Sequence, residues 1–116
     1  MIRIKARLEP IPYKRPLQVG RRRLNPDRYR EFKDALGWKA LDIINGHWLK
    51  GAVRIRLDVY RNLPPTSLKY GDADNHLKAV LDALNGIAFA DDRQIVSAQV
   101  ELHRGEPRLE IELEEL

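Results

Sequence analysis

Residues 52–102 read AVRIRLDVYRNLPPTSLKYGDADNHLKAVLDALNGIAFADDRQIVSAQVEL, and three periodicities in this stretch decide the fold. In residues 52–60 apolar and polar side chains alternate, with Val53, Ile55, Leu57 and Val59 on one face, the period of a half-buried strand. RNLPPTSLKYG follows and is too rich in proline to pair inside a sheet. From Asp74 to Leu84 the period changes: Leu77, Val80, Leu81 and Leu84 form an i, i+3, i+4, i+7 stripe, which predicts a helix. Asn85-Gly86 closes it, because glycine accepts the left-handed position after a helix end. QIVSAQVEL, residues 94–102, returns to strand character.

Working outward gives the remaining elements. Residues 2–8, IRIKARL, alternate apolar and basic as a strand. Pro10 and Pro12 break it, and PYKRPLQVGRRRLNP carries five Lys/Arg and no acid. Its prolines and Gly20 predict a loop or an irregular hairpin. Asn25 and Pro26 have the character of a helix start. Phe32, Leu36, Ala40, Ile43 and Trp48 then recur at helical spacing to about residue 48, placing Trp38 and Trp48 in the core. PRLEIELEEL supplies a last strand, joined to the one before it through a hairpin turn at His103-Arg104-Gly105-Glu106. The expected fold is α+β in a single domain: a mixed sheet of about four strands with two helices, in the order β-(basic loop)-α-β-α-β-β.

Composition narrows the function classes. The chain has 116 residues, is 43% hydrophobic and 33% charged, and so reads as one globular domain and not as a disordered segment. With no cysteine, disulfides and thiolate metal sites are excluded, which agrees with a cytoplasmic setting. No run approaches the roughly 20 apolar residues of a membrane span. Residues 1–33 carry eleven Lys/Arg against three acids, and residues 101–116 carry six acids against two arginines. That asymmetry suggests a nucleic-acid face.

The chemistry concentrates in Gly71-Asp72-Ala73-Asp74-Asn75-His76-Leu77-Lys78. Asp74 stands where a helix cap belongs, but capping leaves Asp72 unexplained. Two carboxylates at this spacing can converge beyond the helix end, where repulsion between them favours a bound cation. Lys78, one turn on from Asp74, points back toward that end, and Asp82 one turn further offers it a second partner. Asp91 and Asp92 follow a short apolar loop. A calcium loop starting at Asp72 would need glycine at Leu77 and glutamate at Ala83, so that pattern fails. His47, His76 and His103 are scattered without zinc spacing and read as surface residues. Hard oxygen donors beside a lysine suit Mg²⁺, with Mn²⁺ able to substitute. A basic segment to grip a polyanion makes phosphodiester hydrolysis the simplest reaction.

Asp72-Ala73-Asp74-Asn75-His76-Leu77-Lys78, then Asp82-Ala83-Leu84, then Asp91-Asp92-Arg93-Gln94-Ile95 together resemble the signature of the RusA-type Holliday junction resolvases. The resemblance is strong over residues 70–100 and looser around the first strand and Lys14-Arg15-Pro16. It implies one RusA-like endonuclease domain over 1–116, acting as a homodimer on branched DNA in recombination and repair. By the same resemblance Asp72, Asp74 and Asp92 hold the metal, Lys78 is the essential lysine, and Asp91 and Asp82 support them. Lys14, Arg15, Arg21, Arg22 and Arg23 are the candidate phosphate contacts. Ala73 and His76 depart from the larger apolar residues the pattern commonly has at those positions. Two further readings stay open: a less selective nuclease of flaps or forks, and a non-catalytic DNA-binding module.

Overall fold

The computed structural model describes residues 1–14, 17–19, 22–24 and 27–116. Strand β1 (Ile2–Ala6) is followed by two short strands, β2 (Leu17–Val19) and β3 (Arg22–Leu24), then helix α1 (Asp27–Ile44) and strand β4 (Val53–Arg61). Helix α2 (Ala73–Leu84), a single 3-10 turn (Asp92–Gln94), β5 (Ile95–Arg104) and β6 (Arg108–Glu115) complete the chain. The result is the expected α+β arrangement, a four-stranded mixed sheet with two helices. Part of the basic segment forms strands, since β2 and β3 pair antiparallel. Asn25 and Pro26, read as the helix start, lie outside the described residues.

The strand order is β1-β6-β4-β5, with β4 and β5 parallel and the other neighbours antiparallel. A parallel pair requires a crossover, and α2 provides it. The alternation read from the sequence is seen in the burial: Val53, Ile55, Leu57 and Val59 are all inaccessible, beside Leu109, Ile111 and Leu113. They pack with Phe32, Leu36, Ala40 and Ile44 of α1 and with Ala79, Val80 and Leu84 of α2 in one core. The opposite sheet face is charged. Arg3 pairs with Glu112 at 3.7 Å and Arg54 with Glu114 at 3.5 Å, so part of the C-terminal acid answers nearby base.

Four expectations are corrected. β5 and β6 form no hairpin. They flank β4 on either side, and the connection passes the end of β4, where the Gly105 amide donates to the Arg61 carbonyl at 3.0 Å. Trp38 and Trp48 are not core residues but are 72% and 45% exposed. Helix α1 stops at Ile44, where Asn45 and Gly46 take φ of 47° and 82°, and this left-handed turn breaks the register before Trp48. Ile44, not Ile43, continues the buried stripe. His76, expected at the surface, is buried and only 1% exposed.

Candidate active site

Helix α2 carries candidate side chains at its start and is followed by others beyond its end. At the start, Asp72 occupies the capping position, with φ −72° and ψ 152°, yet its carboxylate makes no cap hydrogen bond. Asp74 lies inside the first turn, so the expectation that Asp74 caps the helix is corrected by two residues. Both side chains are exposed. Among the described residues neither takes part in a side-chain hydrogen bond or an ion pair. A carboxylate with no structural partner retains its full capacity to bind a cation.

The approach to this helix end is held firmly. Arg61 donates to the carbonyls of Lys69 (2.9 Å) and Tyr70 (2.6 Å) and to Glu9 at 3.0 Å. The Tyr70 hydroxyl donates toward the Val59 carbonyl at 2.9 Å and accepts from the His103 amide at 3.2 Å. Buried His76 donates from Nε2 to the Tyr70 carbonyl at 2.8 Å. Desolvation lowers the His76 pKa, although the bond to Tyr70 opposes this, so the ring stays neutral and packs as a polar core residue. Gly71 has φ 94°, and a Cβ there would stand 2.6 Å from Pro12; only glycine fits between Tyr70 and Asp72.

Lys78 does not reach back to Asp74. Its Nζ lies 3.9 Å from Asp82 and 4.7 Å from the centre of the Tyr13 ring. Tyr13 is itself fixed, its amide donating to the Asn75 carbonyl at 3.0 Å and its ring meeting Tyr29 edge-on at 5.9 Å. Tyr29 in turn donates to Asp82 at 2.9 Å. Burial first, and then this bond to the carboxylate, push the Tyr29 hydroxyl above its usual pKa, so it remains a donor. The contacts of Tyr13 with Lys78 and of Tyr29 with Asp82 are not legible in the sequence, because these partners lie more than fifty positions away.

At the far end, Asp91 caps the 3-10 turn. Its Oδ1 accepts the Arg93 amide at 2.8 Å, and the Gln94 side chain accepts the Asp91 amide at 3.2 Å in a capping box. Gln94 also donates to the Leu49 and Gly51 carbonyls. The amide hydrogen bond, more than the neighbouring arginine, holds the Asp91 carboxyl below the usual carboxylate range. Asp92 lies in the turn itself.

These two groups sit at opposite ends of the sheet. Tyr70 contacts Val59 and His103 near the C-terminal ends of β4 and β5, whereas Gln94 contacts the residues just before β4 begins. The twelve residues of α2 span about 18 Å. Within one chain the acidic constellation is therefore two clusters. Among the described residues, the one group of three ligand-type side chains with atoms within 4.8 Å of one another is Asp58, Glu101 and His103. It lies on the outer sheet face, where Arg56 already stands 3.3 Å from Asp58 and 3.9 Å from Glu101. His103 Nε2 donates to the Asp58 carboxylate at 2.8 Å.

A cavity of about 250 Å³ opens beside Gly71, with Lys14, Arg28, Arg61 and Lys69 among its walls and no acid. Lys14 is an expected phosphate contact, and the structure adds Arg28, Arg61 and Lys69 beside it. Arg15 and Arg21 lie outside the described residues, and Arg22 and Arg23 fall in β3.

A family model for endodeoxyribonuclease RusA matches residues 8–114 of the chain. The chain belongs to the RusA endodeoxyribonuclease family. It is on that ground a nuclease, and the residues matched include every described element from the hairpin to β5 and nearly all of β6. No curated protein matches the sequence. Among the described residues no helix is long and apolar enough to cross a membrane.

Proposed function

We propose that this RusA-family chain is a Mg²⁺-dependent endonuclease that resolves four-way (Holliday) DNA junctions by paired phosphodiester hydrolysis, as a homodimer in the cytoplasm. The whole chain, 1–116, would act as one endonuclease domain. The observation that carries the reading is the pair Asp72 and Asp74: two exposed carboxylates with no structural partner among the described residues, on a rigidly held helix start, inside the matched segment. Hard oxygen donors of this kind fit Mg²⁺ or Mn²⁺ and suit neither zinc nor copper.

Asp72 and Asp74 of one copy and Asp92 of the other would hold the metal in the homodimer, since the two clusters lie apart within one chain; when bound, the metal polarises the scissile phosphate and lowers the pKa of water. Lys78 stabilises negative charge on the phosphate or orients the attacking water, from a position set by Asp82 and Tyr13. Asp91 supports Asp92 by fixing the turn that carries it. Lys14, Arg15 and Arg21 to Arg23, joined by Arg28 and Lys69, grip the DNA backbone. Because phosphate contacts carry no sequence information, selection of a junction rests on DNA shape and on the spacing of two identical sites.

The test is cleavage of an end-labelled four-way junction in Mg²⁺, Ca²⁺ and EDTA, beside a flap and a linear duplex. Symmetric paired nicks in Mg²⁺ alone support the reading. Equal cutting of the flap replaces it with a less selective nuclease, and binding without hydrolysis in any metal removes the catalytic reading. Light scattering should give about twice the 13.5 kDa chain mass.

A further inference from the structure

We infer that Leu68 is a wedge that enters the unstacked base step at a DNA branch point, while the cationic cavity beside Gly71 anchors the neighbouring strand. This rests on branched DNA as the substrate, as given under Proposed function. Leu68 is fully exposed, more so than any other large apolar side chain among the described residues. A single exposed leucine is ordinary on a protein surface; its surroundings set this one apart. It lies on the loop joining β4 to α2 and precedes Asp72 by four residues. That loop, Asn62 to Gly71, contains no acid.

The loop holds this tip still. Pro64 and Pro65 restrict its backbone. The Ser67 amide donates to the Pro64 carbonyl at 2.9 Å, and the Tyr70 amide to the Ser67 carbonyl at 3.0 Å. The Ser67 hydroxyl accepts the Lys69 amide at 3.2 Å, and Arg61 clamps the carbonyls of Lys69 and Tyr70. Order present before binding need not be imposed by it. Leu68 also forms part of the wall of the 250 Å³ cavity, together with Lys14, Arg28 and Lys69. None of these three cations forms an ion pair among the described residues. An apolar tip thus stands among unanswered positive charges. Proteins that kink DNA use this combination, inserting an apolar side chain between base steps while basic residues hold the phosphates. In linear duplex the insertion must break a stack. At a branch point continuous stacking is already interrupted, so the same insertion costs less. The wedge therefore favours branched over linear DNA, and it sets the branch point beside Asp72 and Asp74.

Fluorescence of 2-aminopurine placed at the branch point of a four-way junction reads the unstacking directly, in Ca²⁺ and without cleavage. Wild-type protein should raise the signal on binding. Leu68→Ala should abolish most of that rise and weaken junction binding about tenfold, leaving linear-duplex binding and the unfolding midpoint unchanged. Leu68→Met, which keeps an apolar side chain of similar size, should restore both the signal and the affinity. An equal rise with Leu68→Ala, or no rise with wild type, overturns the wedge. An equal loss of affinity for junction and linear duplex overturns it too, since Leu68 would then serve general DNA binding. If light scattering shows that Leu68→Ala halves the mass of the wild-type particle, Leu68 belongs to a subunit contact and the inference falls. The readout separates this inference from the proposed activity. A Leu68-dependent rise without cutting in Mg²⁺ leaves the wedge standing and removes the nuclease reading, whereas cutting without any rise does the reverse.

Discussion

The two ends of α2 both present paired acids, and they use them differently. Before the helix, Asp72 stands at the capping position without capping, while Asp74 faces solvent from the first turn. Past the helix, Asp91 is committed to the Arg93 amide, within a capping box that Gln94 extends to Leu49 and Gly51. The same residue type thus serves the fold at one end and remains chemically available at the other. Sequence spacing alone does not distinguish these roles, because both pairs open a helical turn. What distinguishes them is whether the backbone amides find the carboxylate.

Several measurements break or sharpen that contrast. The largest effect belongs to Asp72→Asn, for which cleavage should fall on the order of 10³-fold with an unchanged unfolding midpoint, since the substitution removes a charge used for chemistry and disturbs no hydrogen bond. A parallel fall in stability would place Asp72 with Asp91 as a structural acid. Replacing Arg21, Arg22 and Arg23 together with alanine should weaken binding to all DNA forms. The slope of log K against log salt should flatten by about 0.9 for each phosphate that is no longer neutralised; an unchanged slope would show that the run faces solvent. Gly71→Ala should cost about 2 kcal/mol or more in urea unfolding, because φ 94° and the 2.6 Å approach to Pro12 leave no room for a side chain. Smallest is Tyr13→Leu, which removes the ring beneath Lys78. It should lower kcat about two- to five-fold with KM unchanged, while Tyr13→Phe retains the wild-type rate.

Much of this architecture is legible in the sequence wherever one periodicity acts alone. The strand at 53–61, the helix over 73–84 and its glycine-assisted stop at Gly86 follow from local pattern. Pairing partners are not legible. β5 and β6 look like a hairpin because a turn sequence joins them, but β4 lies between them, and only the register of Asp58 with both Glu101 and Glu110 reveals it. Trp48 falls outside the helix because two residues with positive φ intervene, an event that hydrophobic spacing does not encode. In the candidate site, spacing points to Asp72, Asp74 and Lys78, and family resemblance adds Asp92. The Tyr13–Lys78 and Tyr29–Asp82 pairs are tertiary and leave no local signal. Nor does the distance between the acidic clusters, which only the crossover geometry defines.

The most direct test compares Asp74→Asn with Asp91→Asn on one labelled four-way junction. Binding is measured in Ca²⁺ and single-turnover cleavage in Mg²⁺. Asparagine remains a good cap at position 91, and the Asp74 side chain makes no hydrogen bond or ion pair among the described residues, so both variants should fold and bind as wild type does. Asp74→Asn is expected to bind the junction without cutting it, whereas Asp91→Asn should cut within several-fold of the wild-type rate. Cleavage by Asp74→Asn at near wild-type rate would contradict this, because the acids at the start of α2 would then have no part in the chemistry.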